Sequence, residues 1–137
     1  MMTKSIWSFI CKTATHHESN NTNSYNEIFQ NYINGNIPIK LLIMPIIYPQ
    51  LCSVHILEFS DIQSEIQFLT EVVYDPDMKI ILGPSNYPSM HNELTKLTHC
   101  ITEFKDITFS KSGIYKFCLK YKKQVISIAN FDMKFTA

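Results

Sequence analysis

A chain of 137 residues with 45% hydrophobic and 18% charged residues has the length of one domain and the composition of a packed core, which excludes a disordered segment. Twelve acidic and twelve basic residues cancel to a formal charge of zero, and every basic residue is lysine. Without the bidentate guanidinium fork the chain is poorly equipped to grip phosphate or guanine, so nucleic acid is set aside as a partner.

At the N-terminus Lys4 precedes only the short apolar run IWSFIC, and His16, His17 and Glu18 follow soon after. That run is too short for the apolar core of a secretion signal, and no small-residue cleavage site follows it. The longest apolar stretch, Ile37 to Leu51, is broken by Lys40, Pro45 and Pro49 and falls short of the roughly 20 residues of a membrane span. The expected setting is therefore cytoplasmic, with no membrane partner. Ser5 to Thr13 alternates as a first strand should, and Ser19 to Ser24 is a polar loop. Ser24 and Glu27 then have the spacing of a capping box, and Tyr25, Ile28, Phe29, Tyr32 and Ile33 recur at helical intervals before Gly35. These signals predict one short amphipathic helix at 25–34.

Pro38 to Ile47 is extended and apolar, and Ser53 to Phe59 suits a strand. From Ser60 to Tyr74 the apolar residues fit either period. The β-branched pair Val72-Val73, running into the turn signal Asp75-Pro76-Asp77, favours a strand from about residue 66. Lys79 to Leu82 is its predicted partner, and Gly83 to Thr98 a long connection holding one helical turn. Cys100 to Phe109 reads as a strand whose apolar phase slips between Phe104 and Ile107, as a β-bulge near Lys105-Asp106 would make it do. Near the end Tyr115, Phe117, Leu119 and Tyr121 share one face, and after Lys122-Lys123 so do Val125, Ala129, Phe131, Met133 and Phe135. This is the pattern of an antiparallel hairpin with one buried face. Lys122-Lys123 lacks the Asn or Gly of a tight turn, which predicts a longer or bulged one. The sum is a single domain over residues 1–137, mainly β, with about six to eight strands in an antiparallel β-sandwich and one short helix.

The stretch FSKSGIYKFCLKYKKQVISIANFDM, with Gly113, Tyr115 and Phe117 in the pattern G-x-Y-x-F, a short turn and a last strand, resembles the closing strands of small bacterial or phage Ig-like β-sandwich domains of unknown function. An early strand ending near Cys11 and VVYDPDMKII at 72–81 are similar in layout. The resemblance implies an Ig-like fold, in which the helix at 25–34 would be an insertion, and it carries over no active-site residue.

Motifs for chemistry are sparse. The four cysteines, Cys11, Cys52, Cys100 and Cys118, have no metal-ligand spacing and read as reduced thiols in strands; in a secreted domain Cys52 could pair with Cys118. His16, His17, His91 and His99 could form a metal site if their loops met, although adjacent histidines on an extended segment point to opposite sides. Asp75 and Asp77 flank a proline without the rest of a calcium loop, and turn chemistry accounts for them better. There is no G-x-S-x-G, and three glycines are too few for a phosphate cradle. No catalytic residue and no cofactor is expected.

What remains is a surface. The last hairpin is a candidate edge, with Ile114, Ile126 and Ile128 on the face away from the core, either packed beneath the helix at 25–34 or forming a contact patch. The stretch P-I-I-Y-P, with Ile46 and Tyr48, is a second candidate. The expected function is a non-enzymatic protein-interaction or structural module, binding another protein or itself through an edge strand or end loops. By analogy with small proteins of AT-rich genomes, its setting is a mobile element or host–phage conflict. The alternative is a small-ligand- or metal-binding protein, or a hydrolase, with a site assembled from loop histidines and carboxylates.

Overall fold

A computed structural model describes residues 3–20, 22–29, 46–59, 69–86, 88–92 and 97–133. Among them are nine strands and no helix: β1 (Thr3–His17), β2 (Thr22–Phe29), β3 (Ile46–Phe59), β4 (Leu69–Tyr74), β5 (Ile80–Asn86), β6 (Ser89–Asn92), β7 (Leu97–Phe109), β8 (Gly113–Tyr121) and β9 (Gln124–Met133). They form two antiparallel sheets, one in the order β2-β1-β3-β7-β6 and the other β5-β4-β8-β9. Consequently no helix among the described residues is long and apolar enough to cross a membrane.

The sheets face each other through alternate residues of their strands. Ile10, Leu51, Phe104, Ile107 and Phe109 from the five-stranded sheet meet Val73, Tyr115, Phe117, Ala129, Phe131 and Met133 from the four-stranded one. Phe109 stacks on Phe131 at 5.0 Å and meets Tyr115 edge-on at 4.7 Å, while Phe104 and Phe117 meet edge-on at 5.3 Å. Each such ring withdraws enough apolar area from water to stabilise the fold by about 1.5–3 kcal/mol. The middle of β3 is buried on both faces, from Leu51 through Leu57. Its other side, with Cys52, Val54 and Ile56, packs with Phe9, Cys11 and Ile101 in a second cluster.

Three expectations meet a different structure. The predicted helix begins with Tyr25 to Phe29, and those residues are strand β2, paired with β1 from Ile10↔Phe29 to His17↔Thr22; residues 30–34 lie outside the described residues. Long-range pairing has overridden a local helical period, and Tyr25 packs edge-on against Phe9 at 5.0 Å. The connection from Gly83 to Thr98 continues β5 to Asn86 and carries β6, which pairs with β7; residues 87 and 93–96, where its helical turn could fall, lie outside the described residues. The hairpin turn is the tight two-residue kind, with Tyr121 opposite Gln124 and Lys122 in the left-handed region. The predicted bulge lies just before it, between Leu119 and Lys120. The extra residue is Ile126, and it turns Val125 out of the core face, leaving that side chain 40% exposed.

The phase slip in β7 is present, with an unforeseen form. Phe104 and Ile107 both face the core and Asp106 has a φ of 54°. The β3–β7 register nevertheless runs unbroken, because β3 slips at the same place: Leu51 and Tyr48 both face the core. The residue opposite Asp106 in that register is Pro49, which has no N–H to give to the ladder, and aspartate tolerates the left-handed region better than most residues.

The Asp75-Pro76-Asp77 turn joins β4 to β5 as expected. Asp75 Oδ1 accepts the backbone N–H groups of Asp77 at 2.8 Å and Lys79 at 2.9 Å, and Lys111 Nζ reaches Asp75 at 3.3 Å and Asp77 at 2.7 Å. These bonds, led by the Lys79 amide, hold the Asp75 carboxyl below the ordinary carboxylate range. A carboxyl lowered on folding contributes stability above its unfolded value and loses it as pH falls through the folded one. Stability should therefore decline below about pH 4, and Asp75→Asn should flatten that acid limb when urea midpoints are followed against pH. Gly113 lies against this turn with a φ of 130°, and a Cβ there would meet Pro76 Cβ at 2.7 Å.

Candidate functional site

The core-facing side of β3 reads Leu51, Ser53, His55, Leu57, placing two polar residues in the middle of an apolar strand. Leu51 belongs to the aromatic cluster, and Leu57 to a smaller one with Leu69, Cys100 and Leu119. Between them a hydrogen-bonded band crosses from sheet to sheet. His55 Nε2 donates to Glu71 Oε1 of β4 at 2.8 Å, and His55 Nδ1 meets Ser127 Oγ of β9 at 2.7 Å. Ser53 donates to the same Glu71 oxygen. Ser127 is also bonded by Ser8 and, at 3.1 Å, by Ser5 of β1. His55 and Glu71 are both fully buried and Ser127 nearly so. Glu71 Oε2 and Thr102 Oγ1 have no hydrogen-bond partner among the described residues.

Serine, histidine and carboxylate in a row have the order of a nucleophile, its base and the group that orients the base. Such a relay works only where the serine meets a substrate. Here all three groups lie between the sheets, and what the arrangement does is join Ser53, His55, Ser5 and Ser8 of one sheet to Glu71 and Ser127 of the other. A buried network of this kind, with Glu71 Oε2 its one atom lacking a partner among the described residues, constrains which residues face each other across the core.

The outer face of the β8–β9 hairpin is the other site of interest. Ile114 and Ile128 are 47% and 43% exposed there, at the two ends of a strip with Lys116 and Asn130 paired between them. Ile126, expected beside them, is turned by the bulge toward Leu57, Leu69, Cys100 and Leu119 and is half-buried. The helix that would have covered this face is absent from 25–29, since β2 lies at the edge of the other sheet. Lys120 on the same face bonds Tyr74 OH and stands 5.0 Å over its ring.

The second expected patch is rearranged. Tyr48 is half-buried and lies edge-on to Phe109 at 5.7 Å and Phe131 at 5.8 Å, a lid on the aromatic core, and burial pushes its phenol up. Ile46 opens β3 opposite Phe109, and its side chain lies outside the described residues. Ile47 is the exposed one, at 59%. Trp7, marked by no motif, is 55% exposed at the end of a row of rings running Trp7, Phe9, Tyr25, His99.

The histidines do not gather. His16 bonds Asn23 at 3.0 Å and His17 bonds Ser24 at 2.8 Å, both across the β1–β2 hairpin. His99 stacks on Tyr25 and bonds its hydroxyl. His91 stands opposite His99 in the β6–β7 register, its side chain outside the described residues. Among the described residues no group of three or more His, Cys, Asp or Glu side chains could hold a metal ion. The cysteines are free and buried. Cys52 belongs to the cluster on the outer side of the five-stranded sheet and stands opposite Cys11, whereas Cys118 pairs with Ile128 on the outer side of the other sheet. A Cys52–Cys118 bond would have to cross both layers. Burial, then the charge of Glu71, pushes the Cys118 thiol up to about 11.

Comparison with protein-family models, curated proteins and solved structures returns no match.

Proposed function

We propose that this chain is a non-enzymatic protein-interaction module on an Ig-like β-sandwich, binding another protein or a second copy of itself through the outer face of its last hairpin. The observation that carries the proposal is the pair Ile114 and Ile128, each more than two-fifths exposed on a hairpin whose second strand ends a sheet. Edge strands and exposed apolar side chains beside them are where extended partners add.

The strand orders support the Ig-like part. Ig domains pair strands A-B-E-D in one sheet and C-F-G in the other, with C′ added beside C in variable-type domains. The sequence β1-β3-β7-β6 and β5-β4-β8-β9 follows that plan, with β2 added outside β1. Tyr115 supports it too. Near the start of β8 its hydroxyl donates to the Lys111 carbonyl and accepts the Lys111 N–H, both at 3.0 Å, as the tyrosine of an Ig corner bonds backbone a few residues upstream.

The experiment is charge insertion on the strip. Ile128→Lys and Ile114→Lys should change folding stability by no more than about 0.5 kcal/mol, as surface substitutions do. They should weaken partner binding by about 2 kcal/mol or more, roughly a 30-fold rise in Kd. Ile126→Lys is the contrast, expected to destabilise the fold because that side chain packs on the core. Binding by pull-down or sedimentation that survives both surface substitutions would refute the proposed face.

A further inference from the structure

Cys11 of β1 and Cys52 of β3 stand directly opposite one another in the sheet register, in a cluster with Phe9, Val54, Ile56 and Ile101. Opposed residues of antiparallel strands have Cα atoms about 4.5–5.5 Å apart, within the roughly 4.4–6.8 Å that a disulfide spans. Their side chains leave the same face of the sheet. The neighbouring Cys52, and then burial, hold the Cys11 thiol above the ordinary thiol range, whereas the neighbouring Cys11 draws the Cys52 thiol below it. Each sulfur also lies near a carbonyl of β1, Cys11 Sγ at 3.5 Å from Thr13 O and Cys52 Sγ at 3.8 Å from Lys12 O. The other two cysteines lack such a companion in the register: Cys100 is opposite His55 and Met90, and Cys118 opposite Val72 and Ile128.

We propose that Cys11 and Cys52, both fully buried, are a redox pair that closes to a cross-strand disulfide when local opening of the edge strand β2 admits a hydroperoxide as oxidant, and that reopens with a small dithiol. The Cys52 thiolate attacks the terminal peroxide oxygen and the O–O bond breaks. The sulfur gives up two electrons, and the leaving oxygen takes a proton and departs as alcohol or water, leaving Cys52 as a sulfenic acid. The Cys11 sulfur then attacks the Cys52 sulfur, forming the S–S bond. The sulfenic hydroxide leaves and takes the Cys11 proton as water. A dithiol returns both thiols by exchange and becomes a disulfide itself. Cys11 also stands opposite Ile28 of β2, so the bond ties the centre of a three-strand ladder.

The test is titration of the full-length chain with hydrogen peroxide, followed by alkylation under denaturing conditions, intact mass and peptide mapping. The expected result is a mass lower by two hydrogens before alkylation, only two of the four cysteines alkylated, and a Cys11–Cys52 linked peptide that dithiothreitol abolishes. Cys11→Ser should leave the Cys52 sulfenic acid to be trapped by dimedone. A link between any other pair, four alkylated thiols after peroxide, or Cys52 carried to sulfinic acid with Cys11 still a thiol would overturn the proposal. The wild-type chain alone gives each of these readouts, so a variant that fails to fold does not blunt the test.

Discussion

His55→Ala is expected to destabilise the protein by about 3–5 kcal/mol, because it strands a buried carboxylate that the remaining Ser53 hydroxyl cannot satisfy. Glu71→Ala should cost a similar amount, leaving His55 Nε2 without an acceptor. Losses of that size take a large share of the roughly 5–15 kcal/mol that holds a domain folded. The double replacement His55→Leu/Glu71→Met should cost less than the sum of the two alanine variants, since exchanging both buried polar partners for apolar ones removes the stranded group as well as the bond. Urea unfolding of the wild type, the two single alanine variants and the double variant His55→Ala/Glu71→Ala measures the coupling, expected at roughly 0.5–3 kcal/mol. Additive single-mutant losses under about 1 kcal/mol would mean that water reaches the band and that it does not join the sheets.

Phe109→Ala is expected to cost about 3–5 kcal/mol, at the upper range for aromatic truncation in a core. Phe109 is fully buried and its ring touches Tyr48, Tyr115 and Phe131, so truncation removes contacts to both sheets at once. Phe109→Leu keeps most of the volume and should recover more than half of the loss, leaving mainly the aromatic edge contacts of about 0.5–1.5 kcal/mol unmade. A urea midpoint shared by the alanine variant and the wild type would show that the rings do not form one core.

The closing hairpin was legible because its alternation is local: Tyr115, Phe117 and Leu119, then Ala129, Phe131 and Met133, fall on the buried face as the period of two requires. Val125 and Ile126 were misplaced because a one-residue bulge inverts the phase on one side of it, and no residue in IANF or KKQV announces it. The segment after Ser24 failed for a different reason. Tyr25, Ile28 and Phe29 have helical spacing, and Glu27 adopts a φ of 53°, yet pairing with β1 decides the conformation, and that partner is several residues away across a turn. The polar band was out of reach of motif reading, since Ser8, Ser53, His55, Glu71 and Ser127 are scattered over the whole chain. One signal was present: in β3 both alternating sets, Leu51-Ser53-His55-Leu57 and Cys52-Val54-Ile56, are buried, as in a strand covered on both sides. Serine and histidine on a covered face need partners, and those partners are the site.

Native mass spectrometry of the protein isolated from its own cells, wild type beside Ile128→Lys, tests the interaction function most directly. A second copy or another protein carried by the wild type and lost from the variant is the predicted result. A bare monomer in both samples, a partner retained equally by the variant, or only a metal or small molecule as added mass would contradict it.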